Sequence, residues 1–171
     1  RSGLIVPEAH RIGEEGKGFS YLLDSLNPER ILIAAEALGI GKTALRRAVE
    51  YAGQRIVFDR PIGQNQSIQH PLAENWVELE AAGLLIAKAA HLYDSGAPAG
   101  GMANAAKYFA AEAGFKAATQ AVMTLGGMGY AKEYHVERLL RESLIPRLAP
   151  VSAQMVLNYI AERVLGLPKS Y

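Results

Sequence analysis

The sequence predicts an all-α fold, an antiparallel (four-)helix bundle. Three segments of about 25 residues each, 28–55, 66–93 and 102–125, place apolar residues at helical spacing and are joined by short connections. No stretch after residue 18 alternates apolar and polar residues as a half-buried strand does. With 171 residues, half of them apolar, the chain is long enough for one domain with a core.

Residues 1–17 are predicted to lie outside this bundle, which then occupies residues 18–171. Residues 4–6 are β-prone and are stopped by Pro7, and the three glycines of RIGEEGKGF predict turns. The chain begins without Met, and RSGLIVPEAHRIG is typical of the interior of a longer polypeptide. We therefore expect a fragment or an excised domain.

The first helix is predicted over residues 28–55, after one or two possible turns in 19–26. Pro28 suits the first helical position, and Asn27 suits the cap before it. The following run, ILIAAEAL, is apolar nearly all round and should be buried. Gly39 and Gly41 should let a neighbouring helix approach closely, and DRPIGQNQ should end the helix.

The later helices follow from similar signals. Pro71 is a candidate kink near the start of the second helix. The apolar stripe of that helix has spacings of three and four: Ile68, Leu72, Trp76, Leu79, Gly83, Ile86 and Ala90. The Ala-rich third helix should end at Gly126-Gly127, with GGMGYAKEY as a turn. Short helices are predicted at about 133–143 and 151–165.

Composition excludes several function classes. With 18 basic and 17 acidic side chains and no Lys/Arg run, nucleic acid is not an expected partner. The absence of cysteine excludes disulfides and thiolate chemistry, and the four histidines show no His-x-x-x-His spacing, so no metal site is predicted. No apolar run approaches the roughly 18–20 residues that span a bilayer. We expect an intracellular protein, cytoplasmic in a bacterium.

Taken together, three motifs resemble the acyl-CoA dehydrogenase family. YAGQRIVFDRPIGQNQSIQHPLAE is similar to a family pattern in which an Arg, three residues before a Phe, is followed by Gln and Leu-Ala-Glu. AVMTLGGMGYAKEYHVERLLRES resembles its Gly-Gly-x-Gly-aromatic turn, and VPEAHRIGEEGKGF resembles the join between its β domain and its helical C-terminal domain. The resemblance implies that this chain is the C-terminal helical domain, with N-terminal helical and middle β domains upstream.

The resemblance also implies that FAD is held between subunits of a homo-oligomer, a dimer or a tetramer. Arg55 matches an arginine that contacts the FAD pyrophosphate, which suits a guanidinium, and Phe58 matches an aromatic near the flavin or adenine. Other interpretations stay open, since a helix-end arginine and a core phenylalanine are common. The other matched cofactor positions are Gln66, Met123, Gly126, Gly127, Ser152 and Gln154.

Several of these cofactor positions also have ordinary structural interpretations. Met123 departs from the Gln that the family usually has there. A polar residue in a first helical turn explains Gln66, and a helix C-cap explains one of the two glycines. Ser152 suits an N-cap for the last helix.

The activity implied is α,β-dehydrogenation of an acyl-CoA thioester, with an electron-transferring flavoprotein as partner. A carboxylate removes the α proton while the β hydrogen leaves as hydride to the flavin. Most family members place that Glu at the position matching Pro150, which cannot act as a base. The isovaleryl- and long-chain-type members place it before an Arg in the first helix, and here this is Glu29 before Arg30. The alternative for Glu29 is an acidic residue stabilised by the helix dipole.

The predicted substrate contacts are Asn27, Arg30, Pro150 and Val151. In the family, the backbone N–H at the position of Pro150 helps to hold the thioester carbonyl, and proline lacks it. Two alternatives are therefore open: a non-catalytic helical oligomerisation and cofactor-gripping module, or an oxidase or monooxygenase relative. A base such as Glu29 should be partly desolvated, and the apolar run after Arg30 should supply those surroundings.

Overall fold

Three long helices form the body of the protein in a computed structural model that describes residues 3–170. They are α1 (Gly18–Gln54), α2 (Gln66–Asp94) and α3 (Gly100–Leu125). Short connections make α2 run back along α1, and α3 then runs parallel to α1 and packs against both. The predicted all-α antiparallel bundle is confirmed. The apolar spacing placed α2 and α3 to within two residues.

The start of α1 differs from the prediction. The helix begins at Gly18 and continues through Pro28, which lies inside it. Asn27 is therefore not a cap, and its side chain instead accepts a hydrogen bond from Arg30. Proline deprives one carbonyl in the preceding turn of its helical hydrogen bond, but the helix persists on both sides of it. The local proline signal was outweighed by the continuous helix around it.

A close crossing of α1 and α3 fixes the centre of the bundle. A Cβ on Gly114 would lie 2.5 Å from the carbonyl oxygen of Ala37, and one on Gly41 would lie 2.9 Å from the Gly114 Cα. Gly41 thus admits the neighbouring helix as predicted. Gly39 does not, because no atom lies within 4 Å of its Cβ position. The run around them is buried on one side only, since Leu32 and Ala35 are exposed.

Alanine fills most of the core between the three long helices. On α2 the buried stripe is Leu72, Asn75, Leu79, Ala82 and Ala89. Trp76 was predicted in this stripe, but it is 58% exposed, and Asn75 takes the inward position instead. Small side chains allow the close helix packing, and Leu79 fills the space beside Gly41.

Short elements complete the fold, and sequence patterns predicted them less well. A hairpin of β1 (Ile56–Val57) and β2 (Arg60–Pro61) joins α1 to α2, and Ile56 pairs with Pro61. The predicted helix at 133–143 is shorter, and the segment predicted as a turn contains α4. The remaining helices are α4 (Gly127–Tyr130), α5 (Val136–Glu142), α6 (Ile145–Leu148) and α7 (Ala153–Arg163). The β-prone residues 4–6 form no strand.

Within residues 3–170, no helix combines the length and apolarity needed to cross a membrane. The same residues contain no group of three His, Asp or Glu side chains placed to hold a metal ion.

Candidate functional site

The predicted site residues separate into two groups at opposite ends of the bundle. Since α1 and α3 are parallel, the start of α1 lies beside the start of α3, and their ends lie together. The length of α3 gives the separation of the two groups. Lys107 lies on α3 near the first group and Gly126 follows α3 in the second, and the 19 residues between them correspond to about 28 Å of helix. We call the first group, which includes Asn27, Arg30 and Val151, the cleft. We call the second group, which includes Arg55 and Phe58, the hairpin end.

The cleft lies between the first turns of α1, the start of α3, and α7. It has a volume of about 570 Å³. Its walls combine apolar side chains with charged ones: Phe19, Leu23, Asp24, Leu26, Asn27, Arg30, Asn104, Val151, Met155, Tyr159, Glu162, Arg163 and Lys169. Three of the four predicted substrate residues, Asn27, Arg30 and Val151, therefore line one concave site. Pro150 is the neighbour of Val151 and is partly buried.

Arg30 is the buried cation of the cleft. Arg30 is only 8% exposed, and its Nη1 donates a hydrogen bond to the Asn27 Oδ1 at 3.1 Å. Its Nε is buried and has no hydrogen-bond partner among the described residues. Burial lowers the pKa of the Arg30 guanidinium, while interactions with Tyr159 and Glu29 raise it. A buried guanidinium with an unused donor suits a polar or anionic ligand group.

Glu29 lies beside this cleft without lining it. It is exposed, although the apolar run that follows was expected to supply partly desolvated surroundings. Neighbouring positions on a helix point about a quarter-turn apart, so Glu29 and Arg30 occupy different faces of α1. The charge of Glu29 nevertheless acts on Arg30. Glu29 is exposed among the described residues, so the partial desolvation expected of the base stays a prediction for the complete polypeptide.

The segment 149–154 leads into α7, and its Val151 lines the cleft. Ser152 caps α7, with its Oγ accepting from the Met155 N–H at 3.5 Å, as its structural interpretation predicts. Gln154 is exposed in the first turn of α7. Pro150 offers no N–H, and the Val151 carbonyl accepts a hydrogen bond from Lys107 Nζ at 2.6 Å.

Several residues in and beneath the cleft were not predicted from the sequence, among them Asn104, Tyr159 and Lys107. Asn104 and Tyr159 line the cleft, and Lys107 is buried beneath it. Asn104 and Lys107 lie in an Ala-rich helix, where a polar residue ordinarily marks the exposed face. Spacing along α3 was a usable signal, because Asn104 and Lys107 share a face with the alanines at 103, 106 and 110 that α3 buries.

The hairpin end collects the other predicted cofactor residues on exposed surface. Arg55 follows the last residue of α1, and Gln66 begins α2. Phe58, at the tip of the hairpin, is 93% exposed and has a positive φ of 50°. An aromatic side chain this exposed is not core packing, so that interpretation of Phe58 was wrong.

The end of α3 presents open backbone to the same surface. Gly126 has φ 60° and ψ −132°, a conformation that favours glycine. No atom lies within 4 Å of a Cβ built on Gly126 or Gly127, and Met123 is exposed beside them. Open glycine backbone, an exposed aromatic ring and a guanidinium are groups that fit a nucleotide cofactor approaching from outside this chain.

Comparison with known proteins identifies the class to which this fold and site belong. Residues 16–165 match the family model described as "Acyl-CoA dehydrogenase, C-terminal domain". The chain therefore belongs to the acyl-CoA dehydrogenase family and corresponds to its C-terminal domain.

Individual relatives agree with this assignment. Acyl-CoA dehydrogenase FadE12 of Mycobacterium tuberculosis is 46% identical over 97% of this chain and 43% of its own length. The structure of butyryl-CoA dehydrogenase from Megasphaera elsdenii superposes with a TM-score of 0.91 at 38% identity, over 94% of this chain and 42% of that one. The FAD complex of PigA superposes with a TM-score of 0.91 at 28% identity, over 96% and 43%. The chain thus spans less than half the length of these relatives.

Proposed function

We propose that the complete polypeptide carrying this chain oxidises an acyl-CoA thioester at its α and β carbons. The cleft carries this proposal, because Asn27 and Val151 line it together with the buried guanidinium of Arg30. Membership of the acyl-CoA dehydrogenase family supplies the chemical class. In this arrangement residues 1–17 would end a preceding β domain, and residues 18–171 would form the C-terminal bundle.

Glu29 is the proposed base. It precedes Arg30 on α1 beside the cleft, and the position at which most family members carry the base is Pro150 in this chain. Glu29 would take the α proton of the thioester, and the nearby guanidinium would hold the substrate in place. When bound, FAD would supply the acceptor for the β hydrogen.

The two ends of the bundle support a proposal for the cofactor. Ser152 and Gln154 lie near the cleft, whereas Arg55, Phe58 and Gln66 lie at the hairpin end, with Met123 and the two glycines. A separation of about 28 Å along α3 is too long for both groups to serve one flavin ring. We therefore assign the cleft end to the FAD of the same subunit and the hairpin end to the FAD of a neighbouring subunit.

This arrangement requires a homo-oligomer, a dimer or a tetramer. Large apolar side chains on the exposed surface, among them Leu32, Trp76 and Leu84, are consistent with burial against other subunits or domains. The remaining parts of the proposal are an electron-transferring flavoprotein as electron acceptor, a role in fatty acid metabolism and an intracellular, cytoplasmic location. Membership of the acyl-CoA dehydrogenase family supports the first two parts, and the location stays a prediction from the sequence.

The decisive experiment is an anaerobic titration of the complete flavin-loaded polypeptide with a panel of acyl-CoA thioesters. We expect the flavin absorbance to bleach. Glu29→Gln should slow bleaching by about 10²–10⁴-fold, the range for loss of a general base. Glu36→Gln is the matched control, because it is exposed on the same helix two turns further on, and it should behave as wild type.

Each outcome decides something. If no thioester bleaches the wild-type flavin, the dehydrogenase proposal is wrong, and a non-catalytic oligomerisation and cofactor-gripping module is favoured. If Glu29→Gln bleaches as fast as wild type, another residue is the base. If the reduced flavin is rapidly reoxidised by oxygen, the oxidase or monooxygenase alternative is favoured.

A further inference from the structure

Lys107 occupies an unusual position for a lysine. It lies in α3 with 1% of its surface exposed, and it is the largest fully buried side chain among the described residues. Its Nζ donates to the Val151 carbonyl oxygen at 2.6 Å, across 44 residues of sequence. Burying an ammonium group is unfavourable unless it makes specific contacts, so this contact needs an explanation.

No carboxylate neutralises Lys107 directly. Among residues 3–170, Lys107 forms no ion pair within 4.0 Å. Burial and the Arg30 guanidinium lower its pKa, and Glu112 raises it, but Glu112 forms its own ion pair with Arg147 at 2.9 Å. The backbone carbonyl of Val151 is therefore the specific partner of this ammonium group.

Few hydrogen bonds hold the segment that Lys107 contacts. Residues 150–151 lie between α6 and α7, outside any helix, and Pro150 has no N–H to donate. In the part of the chain that the structure describes, no other hydrogen bond reaches Pro150 or Val151. The next residue, Ser152, caps α7 through a long contact of 3.5 Å. The Lys107 hydrogen bond is thus the tether of this wall of the cleft.

We propose that Lys107 is a positioning residue, which holds the Val151 carbonyl and so fixes Val151 in the wall of the cleft. A charge-assisted hydrogen bond is about twice as strong as a neutral one, and exclusion of water keeps it from being exchanged. A side chain that only filled space would need no donor at this position. The consequence for catalysis, correct placement of the thioester, rests on the proposed function.

The tether is tested by amide hydrogen exchange on the complete polypeptide with its flavin. Lys107→Met, which removes the donors and keeps the bulk, should speed exchange in the peptide 149–156 by about ten-fold, as expected for local loosening. Peptides from the middle of α1 and α2 should be unchanged. Lys107→Gln, too short to reach the carbonyl, should give the same result and carries the test if Lys107→Met fails to fold.

Lys116→Met is the matched control. Lys116 is on the same helix, but its ammonium group pairs with Glu74 and Glu78 on α2 at the surface. Its loss should leave exchange in peptide 149–156 at the wild-type rate. Unchanged exchange there in the folded Lys107 variants as well would overturn the proposal.

Kinetics separate positioning from a purely structural role. For Lys107→Met we expect kcat per bound flavin to fall by about 10–100-fold, because a small misplacement of a substrate contact is costly. Loosening of the wall with an unchanged kcat per bound flavin would overturn the catalytic part of the proposal. If the wild-type protein turns over no thioester, the proposed function fails, and hydrogen exchange still decides whether the tether exists.

Discussion

Replacing Gly114 by alanine should push α1 and α3 apart. The new Cβ would lie 2.5 Å from the Ala37 carbonyl oxygen, whereas ordinary contact begins at 3.4 Å. The helices would have to separate by about 0.9 Å, and a gap of that size forfeits about a quarter to a half of each dispersion contact across it. Because the obstacle is helix backbone rather than a flexible side chain, the strain is difficult to relieve locally.

The expected net effect combines two opposing terms. Overpacking of this kind costs about 1–3 kcal/mol, and the rigid obstacle argues for the upper half of that range. Alanine is favoured over glycine in a helix interior by about 1 kcal/mol. We therefore expect Gly114→Ala to lower the free energy of unfolding by about 1–2 kcal/mol.

Gly39→Ala is the matched control on α1, because no atom lies within 4 Å of its Cβ position. It gains the same helix propensity without the clash and should stabilise the protein by about 0.5–1 kcal/mol. Urea unfolding followed by far-UV circular dichroism measures both variants. A Gly114→Ala variant at least as stable as Gly39→Ala would refute the close backbone crossing.

Two further predictions concern packing and charge. Leu79→Ala should lower the free energy of unfolding, measured in urea, by about 2–5 kcal/mol, because Leu79 is fully buried. Hydrogen bonds to Glu78 and Glu74 raise the pKa of Lys116 above 10.5, the ordinary lysine value. The stabilisation from these contacts is therefore complete at a pH below 10.5 and is lost as the pH rises through the raised pKa. Lys116→Met should therefore cost at most about 1 kcal/mol at neutral pH and nothing above that titration, and a deficit that persists at high pH would contradict the ion-pair explanation.

The sequence predicted α2 and α3 well because their signals are local. Apolar spacing, the loop before α3 and the glycines after it define both helices without knowledge of the rest of the fold. The predicted start of α1 was wrong, because Pro28 gave a strong local signal for a helix start although the helix continues through it. The hairpin at 56–61 was not predicted, because strands of two residues are too short to show an alternation of apolar and polar residues.

The sequence predicted three of the residues that line the cleft but not the geometry of the cleft. Motifs pointed to Asn27, Arg30 and Val151, and the structure brings these three together. Sequence alone did not show that the cofactor positions divide between two ends of the bundle. That division depends on the parallel arrangement of α1 and α3, which is a property of the packed helices rather than of any one motif.

Lys107 and Glu29 show opposite limits of sequence reasoning. A lysine in a helix ordinarily extends to solvent, yet α3 buries Lys107, and its partner Val151 is 44 residues away. Glu29 was expected to be partly desolvated by the apolar residues that follow it, yet Ala34 and Ala37 turn toward α3 and Glu29 is exposed. Burial on a helix is decided by what packs against each face. If Glu29 is the base, its desolvation must come from outside residues 3–170, and only the complete polypeptide can test it.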